Sequence, residues 1–453
     1  MLKHGGSRRD VLKKSAMVFT ALAAPSIVPS SVFGQSAPSN RINFAAIGVG
    51  GRGTDDCGGA FLPQQDIRFV AAADPKKANR ERFVNLVNKA YKGDVCKGYN
   101  DFREVLARPD VDAVVVSTPD HWHVPIAYFA AKAKKDAYVE KPLSVALTWS
   151  WELRELIKTN KTVFQYGTQQ RGDQTQFRRA CELVRNGYIG EVKLVEAWSP
   201  DMSSQFSAAS KPPYGSTEEI PVPDGFDYDM WIGPAPMKPY TADRCTCFGA
   251  YHIYDYALGF IAGWGVHPLD IAQWGIDCDN TTPVLHEGTG KIPPAGSLWD
   301  TIESWDVTST YANGVRVRNM GHRLAEPVVK KYHKVWRDHG TTFHGTKGWI
   351  SVDRVGLYAS DKSIQTVQLR PTDVRLTDAP SHARNFIDCI RSRKQTLSHI
   401  DAAINVDTIS HLGNMAIRLG RPIKWDPAKE QILGDEEAAK MLDRPMREPW
   451  KLA

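Results

Sequence analysis

Ile42-Asn43-Phe44-Ala45-Ala46-Ile47-Gly48-Val49-Gly50-Gly51-Arg52-Gly53 is the stretch on which the fold turns. Its first six residues form a short apolar run, as in a strand buried on both faces of a parallel sheet. The next six fit G-x-G-x-x-G, and each glycine answers a steric demand. Gly48 makes the tight turn out of the strand, Gly50 lets the backbone approach a pyrophosphate, and Gly53 lets the next helix lie close to the strand. The helix that begins there aims unpaired N–H groups at the phosphates, which brings Gly51 and Arg52 into the set. Alone the motif is weak. Here a second apolar run, Ile67 to Ala73, follows and closes on Asp74, 21 residues after Gly53. That is the spacing of an acid that accepts hydrogen bonds from the adenosine ribose. The acid favours NAD, while Lys76 and Lys77 just behind it leave NADP open.

Outward from this stretch, strands and helices alternate. Helices are predicted over 76–92, 101–107, 124–132 and 147–160, and strands over 112–117, 137–140 and 162–166. This alternation is that of a doubly wound parallel sheet, a Rossmann domain over residues 41–165. Such sheets bind ligands at the carboxyl ends of their strands. Two loops lie there, Thr118-Pro119-Asp120-His121-Trp122-His123 and Glu140-Lys141-Pro142. Thr118, Pro119, His123, Glu140 and Lys141 therefore join the expected coenzyme contacts, with Trp122 and His123 along the coenzyme edge. Oxidising a secondary alcohol needs a base for the hydroxyl proton and a nicotinamide to receive the hydride. Lys141 is placed to hydrogen-bond the reacting oxygen, and burial there can lower its pKa. Glu140 either orients the lysine or holds the coenzyme. His121-x-His123 has no Cys/His/Asp cluster around it, so no metal is expected.

Residues 166–453 read as a second α/β domain carrying the substrate site. Gln169 and Arg171 open it and are weak candidates for substrate hydroxyls. A helix over 177–186 and a strand over 191–198 precede a long irregular stretch, 199–250, that either covers the site or makes an oligomer contact. Gly263-Trp264-Gly265-Val266-His267-Pro268-Leu269-Asp270 follows. Strands are predicted over 302–311, 315–319, 341–344 and 349–352, the first alternating like one face of an antiparallel sheet. The C-terminal third is expected to be helical, over 382–393, 401–418 and 435–442, with a tail that packs back through Trp450.

Four features taken in order resemble the glucose–fructose oxidoreductase/inositol dehydrogenase/rhizopine-catabolism (Gfo/Idh/MocA) family: the Gly48–Gly53 fingerprint, Thr118-Pro119…His123, Glu140-Lys141-Pro142, and Gly265-Val266-His267-Pro268-Leu269-Asp270. The resemblance implies a Rossmann domain followed by an α/β domain with a large, mostly antiparallel sheet. It also implies hydride transfer at a sugar or cyclitol carbinol, with Lys141 at the reacting oxygen. Many members carry Asp four residues before the histidine, and the pair shares acid–base work. Here that position is Gly263. His267 remains as a candidate catalytic residue, and Asp270, His252, Tyr254 or Asp255 are open as substitutes for the missing acid.

Thirteen Trp, 15 Tyr and 16 Phe supply the aromatic faces that carbohydrate sites often use. The net charge of +6 is concentrated at the start, where Lys3, Arg8, Arg9, Lys13 and Lys14 face Asp10 alone. Too little remains for a nucleic-acid footprint. Ser7-Arg8-Arg9-Asp10-Val11-Leu12-Lys13 resembles a twin-arginine export signal, and residues 1–40 read as signal and linker. The signal is either cleaved between Ala24 and Ala37 or kept as an anchor at the outer face of the inner membrane. No other membrane span is expected, and the expected location is the periplasmic side. Seven irregularly spaced cysteines give no disulfide framework. A homo-oligomer is the expected assembly. The leading reading is a sugar or cyclitol oxidoreductase that retains its coenzyme. The alternatives are a redox-neutral NAD-dependent glycosidase working through a transient keto-sugar, and a binding protein on an inactive Rossmann scaffold.

Overall fold

The computed structural model describes residues 40–204 and 214–452. The segment that resembles an export signal lies outside the described residues, as does 205–213 of the long irregular stretch.

Strand β1 (Ile42–Ile47) is buried almost throughout because both of its faces are apolar. It sits inside a six-stranded sheet with β2 (Ile67–Ala73), β3 (Lys97–Tyr99), β4 (Ala113–Val116), β5 (Asp136–Val139) and β6 (Phe164–Tyr166), in the order β3-β2-β1-β4-β5-β6. Every pairing is parallel. The order reverses at β1, and this opens a crevice at the carboxyl ends of β1 and β4. Helix α1 (Gly51–Asp55) begins in that crevice and continues as a π-helical turn, Asp56–Phe61. Helices α2 (Lys77–Tyr91), α3 (His123–Lys132) and α4 (Leu147–Asn160) follow close to their expected bounds. Strand β3 went unseen in the sequence because Lys97 and Gly98 are exposed and offer no apolar run.

The second sheet has nine strands, β7 (Val192–Ser199), β8 (Leu285–Lys291), β9 (Ser304–Thr310), β10 (Arg316–Gly321), β11 (Gly340–Gly345), β12 (Gly348–Val352), β13 (Leu357–Ala359), β14 (Ile423–Asp426) and β15 (Gln431–Ile432). Their order is β13-β12-β11-β7-β10-β9-β8-β14-β15. It is antiparallel except where β7 meets β10. β9 buries every second residue, as its sequence alternation predicts. β8 escaped notice because Glu287, Gly288, Thr289 and Gly290 break any such pattern. The C-terminal third is not helical throughout: β14 and β15 interrupt it.

Helix α5 (Cys247–His252) begins in the long irregular stretch and runs past its expected end at residue 250. Helix α6 (Val266–Gly275) is buried along its whole length. Gly275 lets it settle on β11, since a Cβ there would overlap the Phe343 ring. Helix α7 (His382–Ser392) returns to the parallel sheet, where Phe386 packs edge-on against Phe44 at 6.0 Å between centroids. Helix α8 (Ile400–Leu419) touches both α4 and the strands β8 and β9. The tail ends on Trp450, buried 5.0 Å from the Trp122 ring of the first domain. No helix among the described residues is long and apolar enough to cross a membrane.

Candidate active site

The glycine loop takes the form its sequence implies. Gly48 has φ +79, and a Cβ there would press on Thr118. A Cβ at Gly53 would overlap the carbonyl oxygen of Gly48. Gly50 differs, because a Cβ there would meet nothing nearer than Asn79 Nδ2 at 3.9 Å. The protein leaves that space open, as a pyrophosphate requires, so the residues fit a dinucleotide. A cleft of about 470 Å³ runs from it, lined by Gly48, Gly50, Gly51 and Arg52 together with Asp74, Thr118 and Pro119.

Asp74 is buried, and its carboxylate accepts from Val49 N at 2.9 Å and Lys76 N at 2.8 Å. It therefore braces the glycine loop as well as facing the cleft. Burial pushes its carboxyl above the ordinary value, partly offset by those two N–H groups. Lys76 lines the cleft and is partly committed to the strap. Its Nζ donates to Cys245 O at 2.8 Å and lies 4.7 Å from the Phe226 ring centre. Lys77 Nζ lies 3.8 Å from the Glu81 carboxylate.

The long irregular stretch covers the cleft. Lys77 N donates to Gly225 O at 2.8 Å, Asn100 Nδ2 to Asp227 at 2.6 Å, and Trp122 Nε1 to Trp231 O at 3.0 Å. Met230, Trp231, Cys247 and Tyr251 of this strap line the cleft wall.

At the reacting end, Lys141 is buried and its Nζ donates to Gly263 O at 3.1 Å. Burial was expected to lower its pKa, and that expectation is corrected. Burial does pull downward, but the Tyr251 oxygen and the Glu140 carboxylate outweigh it and hold the ammonium above its ordinary value. Lys141 is thus a charged donor. Glu140 accepts from Arg52 at 3.2 Å and from Gln169 Nε2 at 2.6 Å. Against its burial, Arg52 and Lys141 keep it below the usual carboxylate range. It orients its neighbours and does not line the cleft. His267 rides on α6, buried, with the Trp264 ring 5.5 Å away and no partner for Nδ1 among the described residues. Burial, then Arg354 and Lys141, hold it well below its ordinary pKa. It is therefore a neutral imidazole.

Other expected residues do different work. His123 is not at the coenzyme edge, because its ring nitrogens face Pro142 O at 2.6 Å and Thr118 O at 2.9 Å, tying the two loops together. His121 Nε2 faces Trp231 O at 3.0 Å. Arg171 and Asp270 are withdrawn from the substrate: they form a buried bidentate pair with both contacts at 2.7 Å, joined by Asp279 at 2.8 Å. Gln169 is spent on Glu140. Among the substitutes for the missing acid, His252 is buried against Phe260, Tyr254 lies between Arg418 and Arg444, and Asp255 acts on Asp300 and Tyr256.

The sequence reading missed two residues. A Cβ on Gly263 would meet Tyr251 Cδ1 at 3.1 Å, so the Tyr251 ring stands where the family's acid would project. Lys141 Nζ lies 5.6 Å from the centre of that ring. Asp120 is buried on the cleft wall with Oδ2 unpartnered among the described residues. Burial raises its carboxyl well above the ordinary value, against the pull of Lys141. No motif marks Tyr251, which lies one residue past the irregular stretch 199–250 and 12 residues before Gly263.

Comparison with known proteins agrees with this architecture. Residues 42–168 match a family described as an oxidoreductase family NAD-binding Rossmann fold, and residues 213–452 match its C-terminal alpha/beta domain. A glycosyl hydrolase family 109 protein of Shewanella sp. (strain MR-4) is 28% identical over 212 residues, 43% of this chain and 46% of the relative. The chain thus spans about half the length of that curated relative. An uncharacterised oxidoreductase of Bacillus subtilis (strain 168) is 22% identical over 72% of this chain and 81% of its own length. The solved myo-inositol 2-dehydrogenase from Lactobacillus plantarum shares the fold, with TM-score 0.57 and 15% identity over 85% of this chain and 99% of that one.

Proposed function

Because this chain belongs to the Gfo/Idh/MocA oxidoreductase family, we propose that it interconverts a secondary alcohol of a sugar or cyclitol with the matching ketone and keeps its NAD bound through turnover, a second substrate returning the coenzyme to its starting oxidation state. The observation that carries this reading is an open glycine loop in a cleft whose Tyr251 wall has its ring centre 5.6 Å from the Nζ of the buried, charged Lys141. When bound, NAD supplies the hydride acceptor. Asp74 and the glycine loop would hold its adenosine and pyrophosphate, and Thr118 and Pro119 its reacting half. Lys141 donates a hydrogen bond to the substrate oxygen and stabilises negative charge there. His267, neutral and with a free nitrogen, takes the hydroxyl proton in the oxidising direction and returns it in the other. Tyr251 and the strap exclude water. The strap also supports retention, since its Gly225, Asp227 and Trp231 must part from Lys77, Asn100 and Trp122 before the coenzyme can leave.

A redox-neutral glycosidase is the second reading, favoured by the family 109 relatives and by a covered coenzyme. One experiment separates the two. Protein is denatured and the released dinucleotide quantified, and intact protein is mixed with sugars, cyclitols and aryl glycosides while coenzyme absorbance and free aglycone are followed together. Stoichiometric NAD and a lasting absorbance change with a sugar or cyclitol support the oxidoreductase. Aglycone release without net coenzyme change supports the glycosidase. Protein with no affinity for either dinucleotide overturns both.

A further inference from the structure

Lys141 belongs to the first domain by sequence, yet the residues just after it are held from the second. Leu143 and Ser144 have no strand partner, so their buried N–H groups need acceptors. Both donate to one oxygen, Asp407 Oδ2 on α8, at 2.9 and 3.1 Å. The other oxygen of Asp407 accepts from Tyr166 Oη–H at 2.7 Å, at the end of β6. One helical turn on, His411 Nε2 lies 3.1 Å from Ser144 O. Burial holds His411 near a pKa of about 3, so the ring is neutral and the nitrogen facing that carbonyl donates. Upstream of Lys141, Glu140 N donates to Val116 O at 2.8 Å, and just downstream the His123 ring faces Pro142 O. Lys141 is the link between these two sets of restraints.

Asp407 is an expensive way to satisfy two amides. It is fully buried, and no cation pairs with it among the described residues. Burial pushes its carboxyl up to about 7 in spite of its three donors. A neutral acceptor would cost less desolvation. What a carboxylate adds is a three-point grip on two elements at once, the end of β6 and the loop after Lys141.

We propose that Asp407, assisted by His411, is the positioning residue for Lys141, so that α8 of the second domain sets where the reacting lysine of the first domain stands. Displacing a reacting group by about 1 Å can cost on the order of 10²-fold in rate, which makes such a grip worth its burial. The inference rests on Lys141 being the reacting lysine, so its test avoids turnover. Amide exchange at Leu143 and Ser144, the rate of Lys141 acylation by acetic anhydride, and the affinity for NAD are measured in full-length wild type, Asp407→Asn and Asp407→Leu. Wild-type amides at 143 and 144 are expected to be strongly protected. Asp407→Asn keeps an acceptor toward the loop and turns its N–H toward Tyr166, so it should behave like wild type. Asp407→Leu should speed exchange at both amides by at least about tenfold and change Lys141 acylation, with NAD affinity nearly unchanged. Fast exchange at these amides in wild type overturns the proposal without any variant. So does a folded Asp407→Leu protein in which Lys141 reacts as before, or an Asp407→Asn protein that loses protection. Full turnover in Lys141→Met would refute the function and leave the grip standing.

Discussion

The two ends of the coenzyme cleft are built by different means. At the adenosine end, the working groups lie within a short span of chain: the glycine loop, Asp74 and the start of α2, tied by Asp74 to Val49 and Lys76. At the reacting end, Asp120, Lys141, Tyr251 and the Gly263–His267 stretch come from four separate places, and the loop after Lys141 is held by Asp407. A local device tolerates change elsewhere in the fold. An assembled one depends on the packing of both sheets. The first end therefore fixes which coenzyme is held, and the second fixes what is done with it.

The sharpest way to break this contrast is Lys141→Met. If the ends are separable, turnover should fall by about 10²–10⁴-fold while NAD affinity, read by calorimetry, stays within a few-fold. A comparable loss of NAD affinity would mean that the lysine serves the coenzyme and that the division is false. His267→Ala provides the matching control in the second domain.

Legibility follows the same division. Gly48, Gly53 and Asp74 could be read because backbone sterics at a strand-to-helix turn depend on neighbours a few residues away. The parallel strands could be read because burial on both faces leaves continuous apolar runs. Strands β3 and β8 could not, since Lys97-Gly98 and Glu287 to Gly290 carry no periodic apolar face. At the reacting end, Lys141 and His267 were found through family motifs. Their pKa directions were not, because for Lys141 the Tyr251 oxygen and Glu140, distant in sequence, outweigh burial. Arg171 and Asp270 read as possible substrate contacts because each is polar and near a motif. Nothing in the chain announces that they pair with one another across 99 residues.

Gly263→Asp sharpens the contrast. By sequence alone this change restores the family's acid. In the structure, the new Cβ would lie 3.1 Å from the Tyr251 ring, with the carboxylate still to be placed beyond it. Overpacking of that kind costs about 1–3 kcal/mol. Where the strain falls on Tyr251 and Lys141, turnover should drop by about 10- to 100-fold with NAD affinity unchanged. Pairing it with Tyr251→Ala should recover part of the loss. If Gly263→Asp alone raises turnover, Tyr251 does not hold that space in the working enzyme.

The smallest expected effect lies at the local end, in Asp74→Ala. The carboxylate repels a 2′-phosphate, so its removal should shift preference toward NADP. It also accepts from Val49 N and Lys76 N, and a buried N–H left unpaired costs about 1–3 kcal/mol. NAD affinity should therefore fall by about tenfold, while NADP affinity changes less because lost bracing and lost repulsion oppose each other. The net switch is modest, since Lys76 is already partly committed to Cys245 and Phe226. Acid should act in the same direction as the mutation. Burial raises the Asp74 pKa, so as pH falls the group takes up its proton earlier than a free carboxyl would, and discrimination against NADP in the wild type should weaken from a higher pH than an ordinary aspartate allows. Titrating both dinucleotides into wild type and Asp74→Ala over the acid range tests this. Discrimination that is flat with pH in the wild type, or an NADP preference already present there, would show that coenzyme choice is not local to Asp74.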